Sequence, residues 1–316
     1  MSLFLVSGLA AGAYWIRSRQ TSQTPIIALI PQTAGAMLWD VENLGATAAA
    51  SELKVRLYRN APTSESDVAG QVSLVDRVSR GNYRGLILAP NHPLAILVPV
   101  RHALAAGLSV VIVSAQLNLP AGGRLGYVVN DDEKMGELAA AEIGFRLKGK
   151  GTIALAGIAR YAPGIKDRVR SAERLLAEKF PKIRVVSRLG AAFNTSLAEE
   201  FIGGALDSHP GLNAVLSFTA ISTRGGHAAL KSRRLQNKVT LVGCEQDTDL
   251  IGYVNNGEIA GVVAENTYRM GYEAVRLISS SLEGRPMPAR LVIPPLLLTR
   301  SNIDSAEAHL LTGLPK

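Results

Sequence analysis

From residue 26 onward, short β-branched runs alternate with longer stretches whose apolar positions recur at helical spacing, and turn residues separate the two. In the first half the strand pattern falls at 26–31, 54–59, 84–89, 109–114 and 125–129. It restarts at 151–157 and continues through 183–187, 213–218, 239–244 and 259–264. Helical period marks 164–179, 196–208, 222–234 and 246–256, and a further helix, "TYRMGYEAVRLISSSLEG", stops at Gly284 and Pro286. Val68, Val72, Val75 and Ser79 form the stripe of an earlier helix, with Ser64 and Asp67 ahead of it at capping-box spacing. A last strand near 290–298 precedes a short polar tail.

Strict βα alternation predicts an α/β fold of parallel sheets, right-handed crossovers and helices on both faces. Two such runs predict two similar Rossmann-like lobes. Open parallel sheets bind ligands outside the carboxyl ends of their strands. The segments at those ends are "PQTAGAMLW", "APNHP", "SAQLN", "GIARYAPG", "SFTAIS" and "GCEQD". Facing each other from two lobes, they would form a cleft.

Composition narrows the function classes. The chain has 316 residues, of which 47% are hydrophobic and 19% charged, as in a globular protein with room for two cores. The net charge of +8 raises the question of nucleic acid or a membrane surface. Its basic residues are scattered, however, and no aromatics interleave with them as a stacking platform requires; no nucleic-acid partner is expected. The single cysteine, Cys244, excludes an intrachain disulfide and a cysteine-rich zinc site. The histidines keep no metal-ligand spacing.

The opening "LFLVSGLAAGAYWI" is shorter than the roughly 20 residues of a membrane-spanning helix. It fits the core of a secretory signal, with Ala11-Gly12-Ala13 as a small-residue cleavage site. No basic residue precedes the run, and Arg17 and Arg19 after it oppose export of the downstream chain. Export is the expectation, with this segment either cleaved or kept as an anchor.

Catalytic and nucleotide motifs are missing. Gly144, Gly149 and Lys150 approach a phosphate loop, but Gly151 follows them and the stretch precedes a strand. No G-x-G-x-x-G follows a strand, and no G-x-S-x-G elbow occurs. Glu245 stands directly after a strand, where it could cap the next helix. Arg168 lies on a helix with Lys166, Arg170 and Arg174, where solvent is its plain alternative. For Trp39 and Phe193 the alternative is core packing.

Taken together, "IALIPQTAGAMLW", "GLILAPN", "VVNDDEKMGELAAAEI", "GIARYAPGIKDRVRSAERLL" and "VGCEQDTDLIGYVNNGEIAGVVAENTYRMGYEAV" resemble the ribose-type periplasmic binding proteins, whose fold is shared by the sensors of lactose-repressor-type regulators. The resemblance spans roughly residues 26–303. It implies two lobes joined by three crossings that close on a small molecule and deliver it to an ABC transporter permease or a receptor. The lobes would comprise 26–130 with 266–292 and 131–265 with 293–303, crossing near Asp131, Glu265 and Pro294–Pro295; residues 1–25 would be the leader and 304–316 a tail.

By the same resemblance, Arg168 falls on a ligand-clamping arginine, Phe193 on an aromatic that packs against a sugar ring, and Leu38–Trp39 on the aromatic pair of the first loop. Glu245 takes the place of an aspartate that accepts sugar hydroxyl protons, and Glu265 that of a glutamine near a hinge. Ala36 and Ala220 stand where asparagines are usual, and Ser114–Ala115 in place of an aspartate–arginine pair. Gln32, Asn91, Ser114 and Ala220 complete the candidate cleft, with Trp39 as its stacking wall. The missing polar partners count against ribose or galactose as the ligand, because selection of hydroxyls rests on buried hydrogen-bonding groups. No cofactor or metal is implied, and the protein is expected to act as a monomer.

Three functions compete. The first is an extracytoplasmic solute-binding protein for a sugar-like ligand, without catalysis. The second is the ligand-sensing domain of a regulator; the 25 residues before Ile26 are too few for three headpiece helices. The third is an enzyme, for which the fold leaves room but no nucleophile–base pair is recognisable.

Overall fold

In β1 (Ile26–Ile30), Ile27 and Leu29 point into one apolar cluster while Ala28 and Ile30 point into another, so both faces of the sheet are covered. The computed structural model describes residues 24–159 and 162–313; the leader-like segment, with Ala11, Ala13, Arg17 and Arg19, lies outside them. The first lobe continues through α1 (Met37–Glu52), β2 (Arg56–Arg59), α2 (Val68–Arg80), β3 (Gly85–Leu88), α3 (Leu97–Ala105), β4 (Ser109–Val113) and β5 (Leu125–Asn130). The second begins with α4 (Asp132–Arg146), β6 (Lys150–Ile158), α5 (Pro163–Lys179) and β7 (Lys182–Gly190). It continues with α6 (Thr195–Ser208), β8 (Ala214–Ser217), α7 (Ala220–Ser232), β9 (Thr240–Cys244), α8 (Thr248–Asn256) and β10 (Gly261–Ala264). The chain ends with α9 (Thr267–Leu282), β11 (Arg290–Ile293), β12 (Leu296–Leu298) and α10 (Ala306–Thr312).

The strands form two six-stranded sheets of the same order, β11-β5-β4-β3-β1-β2 and β12-β10-β9-β8-β6-β7. All pairs of these strands are parallel except β10–β12. The chain passes from one sheet to the other after β5, after β10 and between β11 and β12. Helix α9 packs along α1 of the first lobe, and the approach is close. A Cβ at Gly45 would fall 1.8 Å from the Tyr268 carbonyl oxygen.

Three local expectations are corrected. The single strand near 290–298 is two strands in different sheets, because Pro294 and Pro295 offer no N–H to a ladder. The capping box at Ser64 and Asp67 is a plain cap in which the Asp67 carboxylate accepts the Gly70 N–H at 2.9 Å. The polar tail is a helix, α10, capped by Ser305 and ended by the left-handed Gly313. Its Ala308 and Leu311 belong to the second lobe's core, whereas Gly313 lies against Val41 of α1. Among the described residues no helix is long and apolar enough to cross a membrane.

Candidate functional site

The carboxyl ends of the two sheets approach each other where Met37, at the head of α1, packs against the second lobe's cluster. Thr248, at the head of α8, donates to the Met37 sulfur at 3.8 Å. The loops after the strands of the two lobes therefore face one another.

On the second lobe's side, helices α4 and α5 lie in close contact because Gly136 carries no side chain; a Cβ there would fall 2.0 Å from the Arg168 carbonyl oxygen. Arg168 is thereby held beside the first turn of α4, and its side chain is only 6% exposed. A buried charge is tolerated only with close partners. Arg168 has three carboxylates. Its Nε donates to Asp132 Oδ1 at 2.6 Å, Nη1 to Glu245 Oε1 at 2.7 Å and Nη2 to Glu265 Oε1 at 2.7 Å. Nη1 also donates to the Phe218 carbonyl at 3.2 Å. Burial works against the guanidinium charge, but Glu245, Glu265 and Asp132 outweigh it and hold Arg168 well above the ordinary arginine value.

Each carboxylate is set by its own element. Asp132 opens α4, directly after the capping Asp131, and accepts a second bond from Asn130 Nδ2 at 3.2 Å. Glu245 follows β9 with φ +66°, a left-handed conformation that costs a non-glycine residue about 1 kcal/mol or more. Its Oε2 accepts the Ala220 N–H at 3.0 Å at the amino end of α7. Glu265 follows β10 and is 7% exposed; Gln246 brackets its backbone, accepting its N–H at 2.9 Å and donating to its carbonyl at 2.8 Å. Burial pushes the Glu265 carboxyl up to about 7 despite Arg168. Beneath them, burial pushes the Cys244 thiol up to about 12.

The first lobe's edge is cross-linked chiefly by amides, with one ion pair, Arg59 to Asp40 at 2.8 Å, between the end of β2 and the head of α1. Gln71, fully buried on α2, donates to the Pro31 and Ala89 carbonyls at 3.0 and 2.8 Å and accepts the Asn91 N–H at 2.9 Å, joining the loops after β1 and β3. Gln32 donates to the Pro90 carbonyl at 3.1 Å, and Asn91 Nδ2 to the Asp67 carbonyl at 3.2 Å. Ser114, left-handed at φ +57°, donates to the Met270 sulfur at 3.4 Å.

The structure thus brings Arg168, Glu245, Glu265 and the Ala220 backbone together at one point of the second lobe. Gln32, Asn91 and Ser114 lie on the opposite edge. The stacking role expected of Trp39 is corrected: the ring is 3% exposed inside the first lobe's core, with half-buried Leu38 packed against the same cluster. Phe193 lies on the loop between β7 and α6 and is 81% exposed. Sequence reading missed Asp132, Gln71 and Gln246. Asp132 stood in plain view in "NDDEKMG", but only the packing of α4 on α5 reveals that it, and not its neighbour, meets Arg168. Among the described residues no group of three or more histidine, cysteine, aspartate or glutamate side chains is placed to hold a metal ion.

Comparisons with known proteins agree with this fold. A profile of the periplasmic binding protein domain matches residues 27–286. The D-allose-binding periplasmic protein of Escherichia coli (strain K12) is 23% identical over 269 residues, covering 83% of this chain and 86% of the relative. The D-apiose import binding protein of Paraburkholderia graminis is also 23% identical, covering 75% of this chain and 76% of its own. Among solved structures, an arabinose-binding protein from Geobacillus stearothermophilus superimposes with a TM-score of 0.82 at 19% identity, covering 89% of this chain and 98% of its own. A periplasmic solute-binding protein of an ABC transporter from Actinobacillus succinogenes, with bound D-allose, gives a TM-score of 0.79 at 20% identity, covering 88% and 98%. At these identities the structural likeness speaks for the fold.

Proposed function

The chain belongs to the periplasmic binding protein family, and on that premise we propose that it captures a small polar, sugar-like ligand between its lobes, outside the cytoplasm. The ligand passes unchanged to an ABC transporter permease or a receptor. The observation that carries this reading is the Arg168 cluster: a guanidinium and three carboxylates gathered from four separate segments at the carboxyl edge of one sheet. Such a cluster supplies directed hydrogen-bond acceptors for hydroxyls. The sugar ligands named for the D-allose and D-apiose relatives point the same way. The lobes, 26–130 with 266–292 and 131–265 with 293–303, would hinge on the three crossings, and the segment up to Ala13 would direct export or anchor the protein.

The test is a thermal-shift screen of the purified protein against aldoses, ketoses, polyols and amino sugars, followed by recovery of each bound compound. A hit should raise the melting temperature and return chemically unaltered. A compound recovered as a different product would turn the reading toward an enzyme, and a screen without hits would remove the sugar-like ligand. A reporter active only outside the cytoplasm, fused after residue 30, should be active.

A further inference from the structure

Resting on that reading of the cleft, we propose that the ligand carries a protonated amine beside its hydroxyls, so that this protein selects an amino sugar or amino polyol over the neutral parent sugar. The first ground is charge. Three carboxylates, Asp132, Glu245 and Glu265, surround one guanidinium, and among the described residues Arg168 is the cation that acts on the Glu265 carboxyl. A chain of net charge +8 therefore presents a local acidic excess around Arg168.

The second ground is the state of the donors. A guanidinium has five N–H groups. In Arg168 the Nε–H serves Asp132, the Nη1 hydrogens serve Glu245 and Phe218, and one Nη2 hydrogen serves Glu265. The amides of the facing edge spend donors on backbone as well, Gln32 on Pro90 and Asn91 on Asp67.

A third, independent ground is an orphan acceptor. Asn130, 5% exposed at the end of β5, donates from Nδ2 to Asp132 Oδ1 and to the Met135 sulfur, while its own Oδ1 is buried without a partner. An unmet buried acceptor costs stability unless a donor arrives. Among the described residues, what the cluster lacks is donors and positive charge. An ammonium offers both, with three N–H donors and a charge that the carboxylates in excess of Arg168 attract. Glu245, with its side chain 33% exposed, leaves the cluster open to an entering ligand. A sugar acid meets the opposite condition and should be refused.

Titration calorimetry on the full chain decides the matter, using D-glucosamine, D-galactosamine and glucamine. Each is paired with its neutral parent and its N-acetyl form, and the hexosamines also with the matching hexuronate. At least one amine should bind about tenfold or more tightly than its parent and N-acetyl form, a preference that added salt weakens. In Asp132→Asn and in Glu245→Gln that preference should fall at least about threefold. Melting curves of the unliganded variants verify that they are folded. A neutral parent or a hexuronate bound as tightly as the amine overturns the proposal and leaves the sugar-binding reading standing. A preference untouched in both variants also overturns it, because the cluster would then not be its source. Silence from amines, parents and acids alike overturns the proposal, and the sugar-binding reading then stands or falls on the wider screen of aldoses, ketoses and polyols.

Discussion

Ser114 and Glu245 hold corresponding places in the two lobes. Each directly follows the third strand of its sheet order, β4 or β9, and each has a left-handed backbone, at φ +57° and φ +66°. Their side chains do opposite things. Ser114 turns its hydroxyl to the Met270 sulfur inside its own lobe, whereas Glu245 joins Arg168 and the Ala220 N–H at the cleft edge. The same contrast holds along both edges. The first lobe ties its loops together with a neutral amide, Gln71, and the second ties its loops with charge. One strand order thus supports two kinds of edge, one linked chiefly through amides and one through a cluster of charges. The chemistry each edge can present depends on the residues after the strands, not on the sheet that carries them.

The contrast breaks most visibly at Arg168. Arg168→Leu leaves three carboxylates facing each other with their partner gone, and unfolding free energy should drop by about 3–5 kcal/mol. The resemblance alone assigns this arginine a clamp; its burial adds a structural duty. Denaturant unfolding monitored by circular dichroism measures the loss. A loss near zero would mean that the cluster is not closed as described. In the first lobe the comparable injury is apolar: Trp39→Ala should cost about 3–5 kcal/mol by cavity formation. Its effect should be on stability, with ligand affinity retained in the folded fraction. A variant of unchanged stability and lost affinity would return the ring to the cleft.

Buried acids sharpen the comparison next. Each lobe has one glutamate that burial pushes upward, Glu42 on α1 to about 8 and Glu265 to about 7. Glu265 has Arg168, whereas neither oxygen of Glu42 has a hydrogen-bond partner. A carboxyl with a raised folded pKa binds its proton more tightly when folded. Its contribution is therefore complete below the unfolded value, near 4.5, and is lost as pH climbs through the folded one. The first lobe should lose on the order of 5 kcal/mol as pH rises through 8 and beyond, and Glu42→Gln should flatten that slope. Hydrogen exchange resolved by lobe at pH 5 and pH 9 should show the gain confined to α1, α9 and their sheet. Parallel pH curves for the variant and the parent would rule out Glu42 as the source of the slope.

The strands were legible because β-branched runs with both faces buried, such as Ile27 to Ile30, have no other reading once Gly and Pro bound them. The Arg168, Glu245 and Glu265 grouping was legible only through resemblance, since 97 residues separate Arg168 from Glu265 and no local rule joins them. Trp39 was misread for a physical reason. Its helix face runs Trp39, Glu42, Ala46 and Ala49, so a carboxylate interrupts the apolar stripe. Small residues, with Gly45 close to the Tyr268 carbonyl, then hide how deeply the face is buried. The tail helix did carry its signals, Ser305 before it and Gly313 after it, but its short apolar stretch looked too slight to dock.

The smallest expected effect on the unliganded protein, and the finest division between the lobes, lies at the second aromatic. Sequence leaves Trp39 and Phe193 with the same two fates, core or cleft, and the structure separates them, with Trp39 3% exposed and Phe193 81% exposed. A phenylalanine this exposed stabilises little, so Phe193→Ala should change unfolding free energy by under about 0.5 kcal/mol. Leaving a ring of that size in water wastes its apolar area, and closure over a bound sugar-like molecule would recover some of it. Aromatic contacts of this kind contribute about 0.5–1.5 kcal/mol beyond area. Affinity for whichever compound the screen identifies should therefore fall about tenfold in Phe193→Ala and return largely in Phe193→Trp. Calorimetry on the three proteins, beside their melting curves, reads both quantities. Lost stability with unchanged affinity would make Phe193 a packing residue like Trp39, and the second lobe would then read its ligand by charge alone.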